Sequence, residues 1–190
     1  MTRGRVALVA IVGLLLLAAG WYTRGAGLSA RRDPWPGEGV LAMLARDWAL
    51  PAPYRTMTNP FEGSSAAVRA GMVHWADHCA VCHGNDGRGN VAMGQSLFPP
   101  APDMRSDVVQ GRSDGALFYA IEEGVPWTGM PAWTTGTADG ERQSWELVSF
   151  IRHLPVLTPE EIEEMEALNP RSATDMERER EIEDFLRGGP

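Results

Sequence analysis

The chain has 190 residues, enough for one domain of ordinary size with an anchor and a tail, but not for two full enzyme domains. With 44% apolar and 22% charged residues it is neither disordered nor polytopic, and a net charge of −8 argues against nucleic acid, which needs clustered Lys or Arg. Two Cys in one short stretch exclude a disulfide framework and a four-thiolate zinc site, and a Cys2His2 finger lacks its paired His downstream.

Residues 1–5 hold Arg3 and Arg5 and are expected on the cytoplasmic side. The uncharged apolar run that follows, 6–22, is expected to cross the membrane. Val6–Tyr22 is at the short end of the ~17–25 residues that a spanning helix uses, and Trp21-Tyr22 suits a water interface. The competing reading is a secretory signal peptide. Its nearest cleavage candidate follows Ala30, but Leu28 stands where a small residue is wanted. Either way the rest of the chain is exported.

Residues 23–65 read as an extracytoplasmic tether. Pro34-Trp35-Pro36-Gly37-Glu38-Gly39 breaks regular structure, Val40–Trp48 suits a short amphipathic helix, and Pro51-Ala52-Pro53 forces an extended passage. Tyr54–Phe61 carries Tyr54, Met57 and Phe61 and is expected to pack along the domain that follows.

Residues 66–157 are expected to form that domain. Ser64 or Ser65 caps a helix whose Val68, Met72 and Trp75 share one face. Gly84–Pro102 reads as loop, and Ser113 or Asp114 starts a second helix, Gly115–Glu123, stopped by Gly124 and Pro126. Gly124–Gly136 is loop again. A third helix, from about Asp139 to Leu154, carries Trp145, Val148 and Ile151 in its apolar stripe and ends at Pro155. Residues 158–190 read as an acidic helical tail, opened by Thr158 as cap and Pro159 in the first turn, with Ile162, Met165 and Leu168 as its thin apolar content. No strand pattern or internal repeat is visible.

The strongest chemical signal is Cys79-Ala80-Val81-Cys82-His83, a C-x-x-C-H pattern that reads as covalent haem attachment. Two thiols three positions apart can each form a thioether to a haem vinyl, and His83 then lies next to the iron. A redox dithiol would want a βαβ setting, which this sequence lacks. The iron's other face needs a ligand, for which Met93, Met104 and Met130 are available. Met130 sits in Gly129-Met130-Pro131, a loop tip with close backbone approach before it and a stiff exit after it, and is the expected ligand. Met93 and Met104 are expected as wall residues. Trp127 and Trp133 bracket Met130 and are expected to pack on the haem. His74 and His78 are expected as surface or packing residues, and His153 as a cation at a helix C-terminus.

Cys79-Ala80-Val81-Cys82-His83-Gly84 after an amphipathic helix, Gly129-Met130-Pro131-Ala132-Trp133, and the closing helix from Trp145 resemble class I monohaem c-type cytochromes in their bacterial, membrane-tethered form. The resemblance covers about Ala66–Pro155. It implies an all-α fold of three to four helices around one covalent haem c, here with an N-terminal membrane helix and an acidic helical tail. It implies that the first and last helices cross through Gly71, Trp75 and Phe150, and that a Pro carbonyl, of Pro99 or Pro100, accepts the proton on the free nitrogen of His83.

A haem held by His83 and Met130 is six-coordinate, which leaves outer-sphere electron transfer rather than catalysis. The expected setting is the outer, periplasmic face of a bacterial plasma membrane. The expected partners are membrane respiratory complexes or a terminal oxidase or reductase. A tethered carrier and a fixed subunit of such a complex are distinguishable in principle: an apolar contact surface on tether or tail favours the subunit, and a fully solvated tail favours the carrier.

Overall fold

The computed structural model describes residues 3–27, 29, 34–171 and 173–187. The cleavage candidate after Ala30 and the Gly188-Gly189-Pro190 end lie outside them. All regular structure among the described residues is helical. The chain divides into two units, Met1–Asp33 and Pro34–Pro190.

The first unit is one helix, α1 (Arg3–Ala26). Its stretch Gly4–Gly25 has a mean hydropathy of 2.2 and no buried part. At 1.5 Å per residue those 22 residues span roughly 33 Å, close to a hydrocarbon core. The helix is therefore long and apolar enough to cross a membrane, a property that a signal sequence shares.

The second unit begins with α2 (Glu38–Ala49) and α3 (Ala52–Arg55). The first is amphipathic in an unusual sense, since Val40, Leu41, Leu44 and Trp48 all remain exposed. An ion pair between Asp47, beside that strip, and Arg112 ties the helix to the domain. Tyr54 stacks on Phe118 at 6.2 Å and meets Tyr119 at 4.8 Å. Buried Asn59 donates to Ser149 Oγ at 2.8 Å and to the Trp145 carbonyl at 3.1 Å. These contacts pull the end of the tether into the core, as its aromatic and Met content implies.

The core is built where α4 (Ser65–His74) crosses α9 (Ala138–His153). Ser64 caps the first of these, accepting from the Ala67 N–H, and Thr137 caps the second, accepting from the Gly140 N–H. At the crossing Gly71 lets the backbones touch: a Cβ there would stand 2.7 Å from the Glu146 carbonyl carbon and 2.9 Å from Phe150 Cβ. Trp75 follows one turn later and meets Phe150 at 5.6 Å between ring centres. From the other side, α8 (Asp114–Glu123) stacks Phe118 on Trp145, centres 4.1 Å apart and planes within 14°. The Gly71–Trp75–Phe150 crossing is the one that the resemblance implies.

Packing continues past residue 157. Helix α10 (Pro159–Leu168) has a complete capping box, with Thr158 and Glu161 each satisfying the other's backbone N–H. Glu161 also receives His153 Nε2 at 2.9 Å. Burial works to raise the Glu161 carboxyl, but the bonds from Thr158 and His153 outweigh it and hold the group below its usual range. Arg69 pairs with Glu164, and Met165 is fully buried in the core. The first tail helix is thus seated on the domain rather than free beside it. Deleting a buried Met side chain costs about 2–5 kcal/mol. Met165→Ala is accordingly expected to lower the melting temperature of the haem-loaded protein by more than Leu168→Ala, whose parent side chain is 38% exposed. Helix α11 (Ala173–Leu186) ends the described chain, with Ile182, Phe185 and Leu186 exposed.

Candidate haem site

The helix that begins as α4 does not run straight into the Cys pair. Trp75–Cys79 forms one π turn, in which the Ala80 N–H reaches back to the Trp75 carbonyl, before α5 (Ala80–His83) resumes the α-helical pitch. The inserted residue turns the helix face, so that Trp75 points into the α4–α9 crossing while the Cys79–His83 stretch presents a different side; such turns recur at functional sites. Trp75 Nε1 donates to the Gly84 carbonyl at 2.9 Å, and its ring lies 5.5 Å from that of His83. One buried indole therefore fixes both the end of α5 and the histidine beside it.

Cys79 and Cys82 are free thiols, each partly accessible. Burial, with Cys82 adding to it, pushes the Cys79 thiol up to about 12. A redox dithiol works through a lowered thiol pKa, so this environment is the wrong one for that chemistry. It suits a neutral thiol destined for a thioether.

The segment after the motif folds back on it. Gly89 N–H donates to the His83 carbonyl at 2.7 Å, and helix α6 (Ala92–Ser96) brings Gly94 hard against the Cys82 carbonyl, with no room for a Cβ. Gly89, at φ +68°, presses on the Ala101 and Pro102 carbonyls. The return of the chain therefore reaches the histidine at Pro102. Burial pushes the His83 imidazole below its ordinary value, and the Pro102 carbonyl works against that. Nδ1 of His83 is buried without a fully formed hydrogen bond. Pro99 and Pro100 were the expected acceptors; Pro99 follows a cis peptide bond, and the proline that bears on His83 is the next one along.

The Gly124–Gly136 loop is tightly made. Gly124, at φ +69°, packs against Pro131 and Ala132, where a Cβ would be 2.6 Å from backbone atoms of both. Val125 N–H donates to the Met130 carbonyl at 3.0 Å, Thr128 Oγ1 accepts from the Met130 N–H at 3.1 Å, and Gly129 abuts Leu97. Met130 is half-buried. Trp133 packs against the core and meets the His78 ring edge-on at 5.6 Å, which joins the Met130 loop to the π turn. Trp127, by contrast, is 98% exposed and holds a left-handed backbone at φ 58°. It packs on no protein wall. Met104 lies against the core and Met93 is half-exposed.

Orphaned His83 Nδ1, two free thiols at C-x-x-C spacing and an apolar bed of Trp75 and Phe150 form a donor set that fits a covalent haem. No cluster of three or more His, Cys, Asp or Glu suited to a metal ion occurs among the described residues. An all-helical domain with this site is a haem-c-binding domain. Residues 66–151 match the family described as cytochrome C oxidase, cbb3-type, subunit III. The match indicates a c-type cytochrome domain over these residues, consistent with the class I monohaem kind and with one covalent haem c. Haem-based electron transfer follows from it.

Proposed function

We propose that the protein is an electron-transfer cytochrome held at the outer face of a bacterial plasma membrane by α1, with Cys79 and Cys82 bearing the thioethers and His83 and Met130 on the iron. The observation that carries the reading is the C-x-x-C-H turn, with its half-buried, neutral His83 packed against Trp75. Haem supplies a one-electron couple between Fe(II) and Fe(III). The chain supplies the rest: Trp75 and the Pro102 carbonyl orient the imidazole, the close-packed Gly124–Gly129 loop sets the position of the Met130 thioether, and the apolar core excludes water. Held by both His83 and Met130, a haem iron would keep no open position for a substrate.

Met130→Ala is expected to abolish the weak far-red absorbance of a thioether–ferric iron bond and to open the reduced protein to carbon monoxide. It should also lower the potential by on the order of 0.1 V, within the ~0.8 V range that axial ligands span. The same changes in Met93→Ala or Met104→Ala, with Met130→Ala silent, would reassign the ligand.

A fixed subunit of a membrane respiratory oxidoreductase is the second reading, favoured by one observation. Val40, Leu41, Leu44 and Trp48 form an exposed apolar strip on α2, the kind of tether surface that a subunit contact uses. Co-purification of the tagged protein from membranes separates the two: a stoichiometric partner supports the subunit, and a lone cytochrome supports the carrier.

A further inference from the structure

Two histidines outside the haem motif stand together on the helix that leads to it. His74 ends α4 and His78 lies in the π turn, four positions on, with ring centres 4.8 Å apart and planes crossed at 63°. A divalent ion about 2.0–2.1 Å from each ligating nitrogen lies roughly 3.2 Å from each ring centre, and at ligand angles of about 90–110° the two centres are then roughly 4.5–5.2 Å apart. The observed separation falls inside that range.

A second observation is independent of the first. His78 Nδ1 lies 3.1 Å from the Asp77 carboxylate. No hydrogen bond is formed across that distance, but the carboxylate beside Nδ1 favours the tautomer that carries its proton there and leaves the Nε2 lone pair free, as carboxylates beside metal-bound imidazoles do. The electrostatic setting agrees. Burial, and then His78, push the His74 imidazole below its ordinary value, which keeps it neutral at pH 7. Asp77 and Glu146 place negative charge near the pair, though Arg142 engages Glu146 and Asp139. Trp133 closes one side, edge-on to His78.

We propose that His74 and His78 chelate one divalent transition-metal ion, with Asp77 holding the His78 ring and water filling the remaining positions. The protein supplies only two ligands, so the site is open. By the usual order for nitrogen ligands it takes Cu(II) ahead of Zn(II). Nothing in this assignment depends on which residue binds the distal face of the haem.

The test uses the full chain, haem-loaded and in detergent. Zn(II) is titrated in competition with a chromophoric chelator, and Cu(II) is followed by electron paramagnetic resonance. The expected result is one ion per chain and nitrogen splitting from two imidazoles. His74→Gln and His78→Gln should each lose the two-nitrogen signal, and Asp77→Asn should weaken binding roughly 10- to 100-fold. An unaltered haem absorption spectrum certifies the fold of each variant, and Asp77→Asn, the mildest change, serves where a histidine variant fails that check. Binding that survives unchanged in the His74→Gln/His78→Gln protein, or in Asp77→Asn, overturns the assignment, as does a wild-type protein that takes up no ion.

Discussion

Replacing both thiols, Cys79→Ala with Cys82→Ala, is expected to take the protein from one covalently held haem per chain to none. Without haem, His83 keeps its Nδ1 buried with no formed hydrogen bond. Thioethers hold haem regardless of the strength of the iron bonds, whereas the iron bonds proposed for His83 and Met130 would on their own hold it only reversibly. Acid–acetone extraction of the unmutated protein should leave the colour with the polypeptide, and the single variants should each retain one link. Extractable haem from the unmutated chain would contradict the attachment outright. A loss of thermal stability should accompany the double variant, because a bound group that favours the folded state stabilises it by mass action.

Gly71→Ala is expected to destabilise the domain strongly. The added carbon would meet the Glu146 carbonyl of α9 well inside contact distance, and the obstacle is backbone, not a side chain that can swing away. Overpacking costs about 1–3 kcal/mol and occasionally more. Alanine returns roughly 0.5–1 kcal/mol through its helix preference over glycine, leaving a net loss of up to about 2 kcal/mol. For a domain of ~60–100 residues that upper value is a fall of about 8–16 °C in melting temperature. Gly39→Ala in α2 is the matched control. Its Cβ would meet nothing within 4 Å, so the same substitution should leave the melting temperature unchanged or slightly raised. Melting both variants in the haem-loaded state, followed by far-ultraviolet circular dichroism, makes the comparison.

Much of the haem domain was legible because its signals are local or periodic. The C-x-x-C-H run lies within five residues, and the apolar stripe of α9 repeats with the helical period. The resemblance carried the Gly71–Trp75–Phe150 crossing. Features that depend on how loops return were not legible in the same way. Pro102 bears on His83, rather than Pro99 or Pro100, because Gly89 and Gly94 fix where the chain comes back, and three prolines within four residues give no hint of which one arrives. Trp127 has the size and position of a wall residue, yet its left-handed backbone turns it into solvent. Met165 was hidden by company: one buried thioether on an acidic helix leaves little trace in a hydropathy pattern. The π turn at Trp75–Cys79 has no composition of its own. The His74–His78 pair was read as packing because sequence spacing alone does not say whether two rings face each other.

The contact that closes the core has a consequence for how the molecule is made. Asn59 bonds to Ser149, 90 positions away, and Gly71 awaits the backbone of Glu146. A ribosome delivers the Cys79–His83 segment well before it delivers α9, and at ~5–20 residues per second the interval is several seconds. Throughout that interval Trp75 has neither Phe150 to pack on nor a finished pocket to enter. The thiols beside it stay uncovered on an unassembled chain. Order of synthesis thus acts as a clock, keeping the haem-receiving segment open until the helix that seals it has been made.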